Sequence, residues 1–148
     1  MNRVHHILAV KGTKVHKIPS TECVLNAIKV MDEHRIGSLL VVEEDGTLCG
    51  LIAERDVLRC ILHRPEQQLS EVPVCQIMTD EVIVCKPTDK IDSVRNLMKT
   101  KWVRHIPVVD DAGRLQGIVS IGDVNAFMIQ EEELEISQLH DYIEGRVR

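Results

Sequence analysis

Residues 24–58 read VLNAIKVMDEHRIGSLLVVEEDGTLCGLIAERDVL, and residues 91–125 read IDSVRNLMKTKWVRHIPVVDDAGRLQGIVSIGDVN. The second stretch lies over the first at a shift of 67 positions with no gap. Met31 meets Met98, and Val41-Val42 meets Val108-Val109. Gly46, Leu48 and Gly50 meet Gly113, Leu115 and Gly117, and Asp56-Val57 meets Asp123-Val124. An ungapped match of this length marks a duplicated unit.

Each copy carries the same hydrophobic rhythm. Val24, Ile28 and Met31 predict an amphipathic helix over residues 22–34, and Ile91, Val94 and Met98 predict its twin over 89–101. Ser20 or Thr21, and Thr88 or Asp89, are the candidate N-caps. An apolar run follows each helix, Ser38–Val42 in the first copy and 106–109 in the second. A turn comes next, Asp45-Gly46 or Asp111-Ala112-Gly113, and then a second apolar run, 48–52 or 115–119. Glycine tolerates the positive φ of tight turns, so each pair of runs reads as a hairpin. A second helix begins near Glu54 and near Ile121. Short extended stretches, 14–18 and 82–85, precede the first helix of each copy.

The unit is therefore β-α-β-β-α, used twice, and the fold class is α+β (mixed α/β). One such half has helices on one side of its sheet and cannot cover both faces. Two halves packed about a pseudo-twofold axis close the core and leave two equivalent clefts between them. The whole chain, 1–148, reads as one module. Repeat one covers about 7–62, a linker with Pro65 and Pro73 about 63–73, repeat two about 74–128, and a C-terminal helix about 128–147.

Composition agrees with a small aliphatic core. Forty-four per cent of the residues are apolar, but the aromatics are only Trp102, Phe127 and Tyr142. No apolar run approaches the ~20 residues of a membrane span, and MNRVHHILAV is too short an apolar stretch for a secretory signal. The net charge of −5 argues against nucleic acid as the main partner, since phosphate backbones need concentrated Lys and Arg. Cys23, Cys49, Cys60, Cys75 and Cys85 are odd in number and never in C-x-x-C spacing. That pattern predicts reduced, mostly buried thiols in a cytoplasmic protein, with no zinc site. His5 and His6 read as a polar terminus. No G-x-S-x-G, G-x-x-x-x-G-K-[ST] or G-x-G-x-x-G is present, so no enzyme is expected.

The duplicated unit resembles a tandem pair of cystathionine-β-synthase-type (CBS) domains, a free-standing Bateman module. Val74-x-x-Ile77-Met78-Thr79 is similar to that family's lead-in to a repeat. Arg104 to Asp110, RHIPVVD, is similar to its central strand. Gly117-Ile118-Val119-Ser120-Ile121-Gly122-Asp123-Val124 and Gly50-Leu51-Ile52-Ala53-Glu54-Arg55-Asp56-Val57 resemble its closing motif, Gly-apolar-apolar-Ser/Thr-x-x-Asp. The resemblance covers roughly residues 7–128. It implies a regulatory, ligand-sensing module for adenosine-containing ligands: AMP first, ADP or ATP, or an NAD-type or S-adenosylmethionine ligand. It also implies signalling to a target protein that the sequence does not identify.

Ser120 and Asp123 have two readings. Ser-x-x-Asp at a helix start is a capping box, with the serine oxygen accepting a backbone N–H. Alternatively, the carboxylate accepts from both hydroxyls of a ribose, each charged hydrogen bond contributing about 1.5–3 kcal/mol. In the first copy Ala53 replaces the serine while Asp56 remains, which favours a ligand role for the aspartate. Arg104 and His105, at a strand entrance, are candidate phosphate groups. The resemblance places Lys11 and His16, with Thr13 close by, at the Asp123 site. The symmetric site takes Asp56, Gly37, Ser38 and the stretch from Thr79 to Val82. It lacks the Ser120 hydroxyl and the cations of Arg104 and His105, so two unequal sites are expected, the Ser120/Asp123 site the stronger. The alternative function is a ligand-independent scaffold or adaptor.

Along the tail, Ile129, Ile136, Leu139, Ile143 and Val147 share one helix face, with Gly145 a possible early stop. That stripe packs either on its own domain or on a second chain. CBS pairs commonly form twofold dimers, so the resemblance implies a homodimer.

Overall fold

The computed structural model describes residues 2–143. Helix α1 (Val4–Lys11) comes first, followed by β1 (Lys17–Pro19), α2 (Val24–His34), β2 (Ser38–Val42), β3 (Leu48–Ala53) and α3 (Glu54–His63). A 3-10 turn (Val74–Gln76) precedes α4 (Ile91–Lys101), β4 (His105–Val109), β5 (Leu115–Ser120) and α5 (Ile121–Ile143). The shift of 67 carries α2 onto α4, β2 onto β4 and β3 onto β5, residue for residue.

Register repeats with the same shift. β2 and β3 are antiparallel with Ser38 opposite Ala53, and β4 and β5 with His105 opposite Ser120. Each hairpin has an irregularity at the equivalent place, Val41/Val42 and Val108/Val109. β1 adds a parallel strand to the first sheet, with Ile18 opposite Val41. In the second copy the expected strand at 82–85 shrinks to one bridge, Cys85 opposite Val108. A turn closed by Lys86 N–H donating to Asp89 Oδ2 at 2.9 Å follows at once.

The helices form because their apolar positions meet the sheets. Val24, Ala27 and Met31 of α2 are buried, as are Ile91, Val94 and Met98 of α4. Their starts differ from expectation. The N-caps are Cys23 and Lys90, and neither makes a side-chain cap bond. Ser20 is instead buried and donates to Glu43 Oε2 at 3.1 Å. Both helices end on a non-glycine residue in the left-handed region, Arg35 (φ 54°) and Trp102 (φ 56°). The following N–H groups close each end, Ile36 onto Met31 O and Val103 onto Met98 O, a Schellman-type stop.

The hairpin tips locate the pseudo-twofold axis. Leu48 N–H donates to Gly113 O and Leu115 N–H to Gly46 O, both at 3.0 Å. The shift of 67 exchanges these two bonds. Gly46 (φ 90°) and Gly113 (φ 81°) supply the positive φ that each tip requires.

Two cores result, and the segment ahead of each repeat crosses to the other. Val4, Ile7 and Leu8 of α1 pack with Ile91, Val94, Ile106, Val119 and Val124 of repeat two. Val72, Val74, Ile77 and Met78 pack with Val24, Leu39, Val41 and Ile52 of repeat one. Burying an aliphatic side chain contributes about 1.5–3 kcal/mol, so three such residues fix α1 in place. Sequence reading had no helix over 4–11.

α5 runs unbroken from Ile121 to Ile143, so the tail helix expected from 128 continues the second helix of repeat two. No glycine or proline lies between Gly122 and residue 143 to interrupt it. Gly145 and Val147 lie outside the described residues. Ile129, Ile136, Leu139 and Ile143 are exposed. The thiols divide as well: Cys60 and Cys85 are buried, Cys23 and Cys49 half-buried, and Cys75 is exposed. The expectation of mostly buried cysteines therefore holds for only part of the set.

Candidate functional site

Two cavities open between the repeats. The first, of about 440 Å³, is lined by Lys11, Lys14, His16, Ser38, His105 and Ser120, among others. The second, of about 300 Å³, is lined by Ala53, Arg55, Asp56, Arg59, Thr79 and Glu81, together with Val82 and His105. Leu51, His105 and Pro107 belong to both walls.

At the first cavity β5 ends on Ser120 and α5 begins. Asp123 N–H donates to Ser120 Oγ at 3.1 Å, and Ser120 N–H donates to Asp123 Oδ2 at 2.8 Å. This is the reciprocal capping box. Lys11, the last residue of α1, reaches the same oxygen: Nζ donates to Asp123 Oδ2 at 2.6 Å and to Ile118 O at 2.9 Å. Burial alone would push the Asp123 carboxyl up, but the bonds from Lys11 and Ser120 outweigh it and hold it below the ordinary value.

At the second cavity Ala53 offers no side-chain acceptor, yet Ala53 N–H donates to Asp56 Oδ2 at 2.8 Å. Half of the capping box survives the loss of serine. Retention of Asp56 beside Ala53 therefore does not separate capping from ligand binding, because the carboxylate still satisfies a backbone N–H. The place that Lys11 holds in the first cavity falls to Met78 under the shift of 67, and here the main chain pairs instead: Thr79 N–H donates to Leu51 O at 2.8 Å.

Lys11, His16 and Ser120 line one cavity; Asp123 lines neither cavity and meets the first through its ion pair with Lys11. Gly37 and Ser38 were assigned to the Asp56 site, but they line the Ser120 cavity. Ser38 pairs with Ala53 across its own hairpin, and the cleft lies between sheets, so the strand entrance meets the closing motif of the other repeat. His105 serves both cavities. Arg104 and Thr13 line neither; both are exposed, and Arg104 O accepts from Ile121 N–H at 2.8 Å. Thr79 and Val82 line the same cavity as Asp56.

Arg59 has no place in the sequence reading, and Glu81 enters it only as part of the stretch from Thr79 to Val82. Arg55 and Arg59 are four apart on a helix that also carries Asp56, so the spacing held the signal. His16 and His34 stack with ring centroids 4.3 Å apart, a contact between distant residues that no local pattern reveals. Burial, then Glu43, pushes Cys49 up to about 11, and burial, then Asp89, pushes Cys85 up to about 12, so both thiols stay protonated at neutral pH. Among the described residues no three His, Cys, Asp or Glu side chains gather to hold a metal ion. No described helix is long and apolar enough to cross a membrane.

Known proteins share this architecture. The chain is 39% identical over 128 residues to the mitochondrial CBS domain-containing protein CBSX3 of Arabidopsis thaliana, covering 84% of this chain and 61% of that protein. It spans less than two thirds of that relative's length. The crystal structure of the CBS-domain protein ATU1752 from Agrobacterium tumefaciens matches with a TM-score of 0.68 at 30% identity, covering 84% of this chain and 92% of that one. The AMP complex of the CBS domain protein PAE2072 from Pyrobaculum aerophilum shares the fold, with a TM-score of 0.64 at 24% identity, covering 82% and 88% of the two chains. The CBS domain family model matches twice, over residues 3–63 and 74–129. With two matched units, a repeated register and reciprocal contacts at the hairpin tips, the chain belongs to the CBS domain family.

Proposed function

We propose that this chain is a regulatory, ligand-sensing module that binds an adenosine-containing nucleotide between its two repeats and signals occupancy to a partner protein. One observation carries the reading. The cavity at Ser120 gathers Lys11, Lys14, His16 and His105, and Lys11 pairs with the Asp123 carboxylate. Lysine ammonium groups and imidazole donors near a carboxylate and a serine suit a phosphate on one side and a ribose diol on the other. The Pyrobaculum relative in its AMP complex supports the same class of ligand. AMP is the first choice; ADP, ATP and an NAD-type ligand share its adenosine end. The Asp56 cavity serves as the second, weaker site. Titration calorimetry with AMP, ADP, ATP, NADH and S-adenosylmethionine tests this reading. It predicts saturable heat with AMP, and silence from every ligand at millimolar concentration overturns it.

A second reading, a scaffold acting without ligand, draws on a separate feature. A groove of about 680 Å³ runs between α2 and α3, lined by Ile28, Met31, Ile36, Val57, Leu58 and Ile61. Leu58 in its wall and Leu62 one turn further along α3 are 67% and 72% exposed. Such a surface supports association, and we assign it to a homodimer. Sedimentation at micromolar concentration tests it: a dimer that Leu58→Glu dissociates supports the assignment, and a monomer contradicts it.

A further inference from the structure

We infer that Lys11 is a latch on the Asp123 carboxylate that makes the Ser120 cleft selective for phosphorylated ligands. The inference rests on the ribose role of Asp123 proposed above and adds how that site chooses its ligand.

An ionised carboxylate has about four acceptor positions, two on each oxygen. Asp123 Oδ2 already accepts from Ser120 N–H and from Lys11 Nζ. That oxygen is full, and a vicinal diol cannot grip both oxygens while Lys11 stays. The Lys11 and Asp123 side chains are 32% and 24% exposed, so a charge stranded in this cleft is only partly solvated. A nucleoside that displaces Lys11 leaves it without an anion. A nucleotide that displaces it brings one. The ammonium can pass from carboxylate to phosphate, keep its bond to Ile118 O, and leave Asp123 free to hold the ribose.

The other cleft shows what happens without the latch. Asp56 Oδ2 accepts from Ala53 N–H, and Met78 stands where the shift of 67 would put a lysine. The carbonyl of Leu51 is satisfied by Thr79 N–H at 2.8 Å. Its counterpart, Ile118 O, takes Lys11 Nζ. The difference follows from the crossing segments. Past the 3-10 turn at Val74–Gln76, Thr79 pairs its backbone with Leu51, whereas α1 keeps its N–H groups inside the helix and sends a side chain. The Asp56 cleft lacks this latch: whatever Arg55 and Arg59 on its wall offer a phosphate, no lysine has to leave Asp56 before a nucleoside binds.

Calorimetry with adenosine and AMP tests the latch in a chain carrying Asp56→Ala, so that one cleft reports. Lys11→Gln removes the charge but keeps a donor for Ile118 O, and circular dichroism checks the fold. The expected result is crossed: adenosine binds at least threefold more tightly, and AMP at least threefold more weakly. If both ligands move in the same direction, or neither moves, Lys11 is not a latch. Adding Asp123→Ala separates the two layers. If that change leaves adenosine and AMP affinity untouched, the ribose reading itself is wrong.

Discussion

At the Asp123 cleft the α-helix α1 crosses the opposing sheet; at the Asp56 cleft the 3-10 turn Val74–Gln76 leads into Thr79, whose backbone bridges Leu51. Both crossings meet the sheet at a glycine, Gly117 under Leu8 and Gly50 under Met78 and Thr79. The sheets beneath them match in register. What separates the clefts is therefore not the closing motif, since both aspartates accept the N–H three residues before them. It is what arrives from the other repeat: a lysine that pairs with Asp123, or a backbone that pairs with Leu51. A duplicated fold acquires two different clefts by changing its crossing segments while its sheets stay alike.

The glycines offer the sharpest way to break this comparison. A methyl group on Gly50 would lie 2.5 Å from Met78 Sδ and 2.8 Å from Thr79 O, and one on Gly117 would lie 2.8 Å from Leu8 Cδ2. A backbone carbonyl yields less readily than the end of a leucine. Gly50→Ala should cost about 1–3 kcal/mol, and Gly117→Ala should cost less. Urea unfolding of both variants checks the order, and the reverse order would mean that the crossing at Met78 and Thr79 is the softer one.

Acid should act on the latched carboxylate. Its folded pKa is depressed because the bonds from Lys11 and Ser120 outweigh burial. A depressed value contributes stability above the unfolded carboxyl pKa of about 3.9, and that contribution is lost as pH falls through the folded value. Asp123→Asn should therefore be less stable than the unmodified chain near neutral pH and approach it in acid. A constant gap in urea midpoints across that range would remove the ionic contribution.

Salt sharpens the comparison of ligands. Attraction between partly exposed charges is screened over about 8 Å at physiological ionic strength. AMP affinity should fall several-fold between low and high salt while adenosine affinity hardly changes. Equal salt slopes for the two ligands would take the phosphate away from Lys11, Lys14 and His16.

The smallest effect belongs to Arg104. It stands at a strand entrance but lines neither cavity, so Arg104→Ala should change AMP affinity by less than about twofold, or under about 0.4 kcal/mol. A tenfold loss would return it to the phosphate site.

The repeat itself was legible because duplication tests every element against a copy. The helix at Val24–His34, the strand at Ser38–Val42 and the starts of α3 and α5 follow from periodicity and the shift of 67. The crossing was less legible. α1 sits outside the matched stretches, and its buried Val4, Ile7 and Leu8 span barely one turn and a half, too short for periodicity to declare a helix. The expected caps failed because a polar residue near a helix start has other partners, as Ser20 has in Glu43. Lys11 and His16 were placed at the Asp123 cleft by resemblance. Ser38 was placed on the wrong side because strand pairing and cleft lining point to different neighbours.

The most direct test is calorimetric titration of AMP into three chains: the unmodified protein, Asp123→Ala and Asp56→Ala. The account predicts that Asp123→Ala weakens the tighter binding step tenfold or more, a loss of at least about 1.4 kcal/mol, while Asp56→Ala leaves that step in place. Loss of all binding in Asp56→Ala with Asp123→Ala unaffected would contradict it.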